Sequence, residues 1–270
     1  MNVNGINLAV IDEGPRDGTP VVLLHGFPDR GSMWRHQIAA LSAAGYRVLA
    51  PDQRGFGDSD APDGVEHYDN MHAMADTVAM LDELGIQQAH VVGHDWGASV
   101  AWRLALFAPD RLLSLTVVSV GHPLAFVGAG LEQKQKSWYM LAFQHVGLAE
   151  ELVAHDNFAF LETFGTGGEN GQWAADLSRP GRLTAALNWY RANVPPQVLL
   201  STASFELPPI TVRTMGVWSD GDAALGEAQM KNSANYVTDF RFERIDGVSH
   251  WIPTAAPDQL NALLLDFLSQ

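Results

Sequence analysis

The stretch Ala89-His90-Val91-Val92-Gly93-His94-Asp95-Trp96-Gly97-Ala98-Ser99 decides how the rest of the chain is read. A run of strand length, Ala89 to Val92, meets a turn with glycines two positions either side of Asp95, and an apolar stretch of helical period then runs to about Phe107. A strand that turns sharply into a helix forces its central residue into a strained backbone conformation, and the flanking glycines let neighbouring chains approach it. The side chain of that residue stands above the sheet edge at the positive end of a helix. Asp95 is therefore expected as an ionised carboxylate aimed at a pocket.

Outward from this turn, short apolar runs alternate with longer stretches of helical period. The runs are Val21 to Leu24, Tyr46 to Ala50, Leu113 to Val120, Thr214 to Trp218 and Phe240 to Ile245. Such alternation predicts βαβ units and a mostly parallel sheet with helices on both faces, an α/β fold. Core-facing helical stripes are expected at Trp34, Ile38 and Leu41, at Met71, Met74, Val78 and Leu81, and at Leu260, Leu263, Leu264, Phe267 and Leu268. The alternation breaks between about His122 and Pro209, where aromatic and polar residues mix and a glycine-rich patch spans Gly165 to Gly171. This predicts a mainly helical cap, residues 122–209, inserted into a core formed by residues 1–121 and 210–270.

Composition narrows the function. Among 270 residues, 47% are hydrophobic and 17% charged, which excludes disordered, collagen-like and coiled-coil chains. The net charge of −15 has the wrong sign for neutralising phosphates, so neither nucleic acid nor an anionic membrane is an expected partner. Leu112 to Leu131 lacks formal charge and is long enough to span a bilayer, yet its β-branched first half and the following Gly121-His122-Pro123 read as a buried strand and a loop. Met1 to Val10 lacks the basic start and apolar run of a signal peptide. With zero cysteines there is no disulfide, thiolate metal site or cysteine nucleophile, which agrees with a cytoplasmic location. His25, His94 and His250 have no metal-ligand spacing, so no metal is expected.

Three further segments join the turn at Asp95. His25-Gly26-Phe27-Pro28 follows a strand and can offer the Phe27 N–H, which with that of Trp96 would form an oxyanion hole. Asp222 lies just past the strand ending near Trp218, and His250 lies in the loop before the final helix. Asp220 reads as a turn residue, and Asp246 stands too near His250 in sequence to be its partner. The chain order is nucleophile, acid, base.

On these motifs the chain resembles an α/β-hydrolase and, within that superfamily, is most similar to epoxide hydrolases. The likeness runs the whole length and includes Asp52-Gln53-Arg54-Gly55-Phe56-Gly57-Asp58-Ser59-Asp60, a loop such enzymes carry beside the oxyanion segment. It implies that Asp95 is the nucleophile, His250 the base and Asp222 its orienting acid. Tyr139, four residues before Phe143-Gln144, and Tyr190, within Leu187-Asn188-Trp189-Tyr190-Arg191, stand where the family has its two cap tyrosines. The sequence departs from the family after Gln144, where His145-Val146-Gly147 replaces a proline-glycine turn.

The chemistry suits those residue types. A carboxylate needs no base to attack saturated carbon, and water activated by His250 can then cleave the resulting ester. Opening an epoxide releases an alkoxide, which needs an acid such as a phenol, whereas a halide leaves as a stable anion. The tyrosine pair therefore favours an epoxide and water as the small-molecule partners, with no cofactor. The alternatives are a haloalkane dehalogenase using the same ester route and a ligand receptor that has lost turnover.

Overall fold

A computed structural model describes residues 1–164, 169–200 and 206–270; part of the glycine-rich patch, residues 165–168, lies outside these. A two-strand hairpin, β1 (Asn2–Val3) and β2 (Ile6–Asn7), precedes a seven-stranded sheet. Its strands are β3 (Val10–Glu13), β4 (Pro20–Leu24), β5 (Arg47–Pro51), β6 (Ala89–His94), β7 (Leu112–Val118), β8 (Thr214–Ser219) and β9 (Phe240–Ile245). In space they run β3-β5-β4-β6-β7-β8-β9, and every neighbouring pair is parallel except β3 with β5. The six apolar runs in the sequence are β4 to β9. The edge strand β3, with no fully buried residue, was not expected from the sequence.

Central strands carry unbroken apolar runs because helices cover both faces. Val21 to Leu24 are fully buried, as are Val48 to Ala50. The covering helices are α1 (Arg35–Ala43), α2 (Asn70–Glu83) and α3 (Trp96–Phe107), followed after the helical insertion by α11 (Glu227–Lys231), α12 (Ile252–Ala255) and α13 (Pro257–Leu268). Leu260, Leu264, Phe267 and Leu268 of α13 are buried, as their spacing predicts.

The expected stripe on α2 is corrected. Met71 is exposed and Met74 and Val78 are only partly buried, while Asn70, Ala73, Asp76, Thr77, Met80 and Leu81 face inward. The inward polar groups are satisfied: Asp76 pairs with the buried Arg54 through two hydrogen bonds of 2.6 and 2.7 Å, and Thr77 donates to the Ala73 carbonyl. Partners from elsewhere in the chain rotate the helix away from the face that hydrophobicity alone selects.

Between β7 and β8 the described chain is helical: α4 (Pro123–Val127), α5 (Gly130–Lys136), α6 (Trp138–Ala142), α7 (Leu148–Phe158), α8 (Asn170–Leu177), α9 (Arg182–Asn193) and α10 (Pro196–Leu199). The uncharged stretch from Leu112 is thus a strand, a loop and a short helix. Among the described residues no helix is long and apolar enough to cross a membrane. Strand order reverses direction around β4, with β5 on one side and β6 on the other, and ligands of open α/β sheets bind beyond the carboxyl ends of strands at such a switch point.

Candidate active site

The turn after β6 places Asp95 at φ 52° and ψ −120°, a left-handed conformation that costs a non-glycine residue about 1–3 kcal/mol. Two glycines make room for it. A Cβ on Gly26 would sit 2.6 Å from the Trp96 nitrogen and closer still to the Asp95 carboxylate, and one on Gly97 would collide with the Leu24 and His25 carbonyls. The end of β4 can therefore press against the start of α3, which brings the Phe27 N–H to 2.9 Å from Asp95 Oδ1. The other predicted donor, the Trp96 nitrogen, lies against Gly26 in the first turn of α3.

His25, fully buried, locks this loop. Its Nδ1 donates to the Gly26 carbonyl at 2.9 Å and its Nε2 accepts from the Gln53 N–H at 2.9 Å. Burial lowers its affinity for a proton, in keeping with that neutral tautomer. Within the 52–60 loop, Asp52 accepts from Gly31 N–H at 2.7 Å and Asp58 N–H at 2.8 Å, so the loop braces the segment carrying Phe27.

The loop after β9 delivers His250. Its Nε2 lies 3.6 Å from Asp95 Oδ2 and its Nδ1 lies 2.7 Å from Asp222 Oδ2. The other Asp222 oxygen accepts from the Ala224 and Leu225 N–H groups at 2.8 and 2.9 Å, which holds the carboxylate toward the imidazole. Asp220 turns away, to Arg244 and the Gly247 N–H. Burial opposes charge on His250, yet the Asp222 carboxylate, helped by Asp95, outweighs it and pushes the imidazole up to about 10. Burial likewise opposes charge on Asp95, but His250 and the Phe27 N–H hold its carboxyl below the ordinary range. The geometry thus favours an ion pair between Asp95 and an imidazolium.

Tyr139 on α6 and Tyr190 on α9 lie together, ring centroids 5.9 Å apart, and both are buried. Phe143 packs edge-on against each, while Gln144 donates to the Tyr190 carbonyl and Arg191 to the Phe143 carbonyl, tying α6 to α9. Burial first, and then the Asp95 charge, push both phenols well above their usual range, so they keep their protons. The departure at His145-Val146-Gly147 is taken up by Gly147, at φ 82°, with Val146 exposed. Asp95, Trp96, Tyr139 and Tyr190 line one cavity of about 160 Å³, otherwise mainly apolar. A void of that order holds a benzene-sized guest.

Two features of the site, Asp29 and Arg103, carry no local signal in the sequence, whereas His94 stands inside the turn motif itself. Asp29, buried beside the Phe27 loop, accepts from the indole N–H groups of Trp173 on α8 (2.7 Å) and Trp251 (2.8 Å), and those rings lie 4.8 Å apart. Trp173 thus ties α8 to the Phe27 loop through Asp29. Burial raises the Asp29 carboxyl to about 7. His94 donates to the His250 carbonyl at 3.0 Å and stays neutral, because burial pushes it down to about 3. Arg103, two turns along α3 from Asp95, also lines the cavity. Among the described residues no group of three His, Asp or Glu side chains could hold a metal ion.

Known proteins share this architecture. The family model of the alpha/beta hydrolase fold matches residues 19–254. The chain is 33% identical to the AB hydrolase superfamily protein YfhM of Bacillus subtilis (strain 168), covering 99% of this chain and 96% of that protein. It is 31% identical to epoxide hydrolase A of Mycobacterium tuberculosis, over 100% and 96% of the two lengths. Among solved structures, that of Bacillus megaterium epoxide hydrolase in complex with an inhibitor superposes with a TM-score of 0.89 at 26% identity, covering 100% of this chain and 99% of that one. With this fold over its whole length and relatives above 30% identity across nearly all of it, the chain is a hydrolase of the α/β-hydrolase superfamily and belongs to its epoxide hydrolase family.

Proposed function

We propose that this protein hydrates an epoxide to a vicinal diol through an ester on Asp95, with residues 122–209 acting as a cap over the core. The observation that carries this reading is that an anionic carboxylate, paired with an imidazolium 3.6 Å away, shares one cavity with two protonated phenols. An Asp95 oxygen attacks one ring carbon, the carbon–oxygen bond of the ring breaks, and Tyr139 or Tyr190 protonates the departing oxygen. Once Asp95 is esterified, one of the two anions that hold the His250 proton is gone. The imidazole then releases that proton, which restores the phenol, and becomes a base.

In the second half His250 takes a proton from water as the water oxygen bonds to the Asp95 carbonyl carbon. The Phe27 and Trp96 N–H groups stabilise the oxyanion. Asp222 holds the imidazole in place and supports its charge. Collapse frees the diol and returns Asp95 as carboxylate and His250 as imidazolium, so epoxide and water balance against diol. The partners are the small epoxide and water, and a reducing compartment, the cytoplasm, is the proposed location.

The test is a trapping measurement. His250→Ala mixed with styrene oxide should gain the mass of one substrate, localised to the peptide that holds Asp95. Unmodified protein that still produces diol would mean direct attack by water and would overturn the ester route.

A further inference from the structure

Arg103 is a cation on the wall of the cavity with no carboxylate beside it. Its NH1 donates to the Ser99 carbonyl and Ser99 Oγ, both at 3.0 Å. With the Asn70 amide oxygen turned toward the guanidinium, that oxygen lies 3.2 and 3.3 Å from the two terminal nitrogens. These acceptors are all neutral. Asp69 supplies only distant attraction, and its carboxylate caps α2 by accepting from the Met71 N–H at 2.7 Å. No ion pair reaches Arg103 among the described residues, and neither undescribed stretch, 165–168 or 201–205, contains an Asp or Glu.

Arg54 shows what a buried guanidinium elsewhere in this chain does: it takes both oxygens of Asp76. Leaving a desolvated cation unpaired is costly, and a cavity that keeps one has a place for an anion. The geometry gives that place a distance. Asp95, Ser99 and Arg103 lie at i, i+4 and i+8 on one face of α3, and the guanidinium folds back to the level of Ser99. Four residues of helix rise about 6 Å. The charged head therefore lies about one helical turn from the carboxylate that meets the epoxide, across a mainly apolar wall.

Building on the epoxide-hydrating reading above, we propose that Arg103 anchors a carboxylate on the substrate, so that the preferred substrates are small epoxides whose acid group lies about one helical turn from the ring. The guanidinium is the specificity-determining group: it binds the non-reacting end of the molecule and presents the ring to Asp95. Bidentate pairing suits it, since Arg meets carboxylates through two parallel N–H donors.

The experiment compares styrene oxide bearing a para-carboxylate with the methyl ester of the same acid. Wild type should favour the acid in kcat/KM by about tenfold or more, mostly through KM, the scale of one charge-assisted hydrogen-bonded contact. Arg103→Met should bring the acid-to-ester ratio to about one, and Arg103→Lys should keep part of the preference. A wild-type ratio at or below one overturns the proposal, and so does a ratio that Arg103→Met leaves unchanged, which would make Arg103 only a brace for Ser99 and Asn70. A thermal-shift measurement on wild type needs neither turnover nor a folded variant: para-ethylbenzoate should raise Tm and para-ethylbenzamide should not. If no epoxide is hydrated but that shift is seen, the proposed reaction fails while the anion site stands; equal shifts for the two compounds sink the site itself.

Discussion

Asp95, partly exposed to the cavity, and Asp29, buried, are two carboxylates in adjoining parts of the same rim, and they behave in opposite ways. Asp95 faces an imidazolium at 3.6 Å and a backbone N–H at 2.9 Å, and it is held ionised. Asp29 faces two neutral indole N–H groups at 2.7 and 2.8 Å, and burial lifts it to about 7. Both are desolvated, so burial does not separate them. The difference is a positive charge: the two indole donors also favour the anion but do not offset burial, whereas the imidazolium beside Asp95 does. The first environment suits the proposed nucleophile, the second a joint between the helical insertion and the His250 loop.

The sharpest way to break this contrast is to remove the charge from each carboxyl at constant shape. Asp95→Asn should lower epoxide turnover by at least about a thousandfold, since the group proposed to make the covalent bond is lost. A fall of only a few-fold in steady-state rate would contradict the role assigned to Asp95. Asp29→Asn should act mainly on stability instead. Its amide can accept from one indole but turns N–H groups toward the other, leaving a buried donor unsatisfied at about 1–3 kcal/mol, or roughly 2–10 °C in Tm. An unchanged melting curve would remove Asp29 from its place as a joint.

The pH dependence of stability sharpens the comparison further. For Asp29 the folded value of about 7 lies above the ordinary 3.8, so between those pH values the folded state holds a proton that the unfolded state has lost. Its stabilising contribution is full below about 3.8 and is lost as pH rises toward 7. Wild-type Tm should therefore fall more steeply with rising pH across that window than Tm of Asp29→Asn, as followed by calorimetry. His250, lifted from 6.5 to about 10, contributes in the same sense over the higher window, with stability lost as pH climbs from 6.5 toward 10. His250→Ala should lack that slope; a wild-type profile that stays flat from pH 6.5 to 10 would deny the imidazolium.

Much of this was legible in the chain itself. Gly93-His94-Asp95-Trp96-Gly97 announces the turn, because only glycines tolerate the close approach of β4 to α3. The six apolar runs are strands because continuous burial on both faces demands them. What hydrophobic period misjudged was α2, where Asp76 and Asn70 face inward and Met71 outward. The polar partners that reward that rotation, Arg54 and Ser99, come from other elements. The edge strand β3 escaped for a related reason: it is only partly covered and so has no apolar run to show.

The candidates for the reactive groups and their order could thus be read along the chain: a turn residue between glycines, a histidine and an acid past later strands, and two tyrosines that the family resemblance implies. Which polar side chains meet could not. Asp29 finds Trp173 and Trp251 across 144 and 222 residues, and Arg103 is left on the cavity wall with no ion-pair partner among the described residues, although the chain holds 31 acidic residues. Periodicity and turn chemistry act over a few neighbouring residues, so the linear order carries them. Protonation and ligand preference depend on desolvation and on charges brought within a few ångströms, and only the folded chain sets those distances.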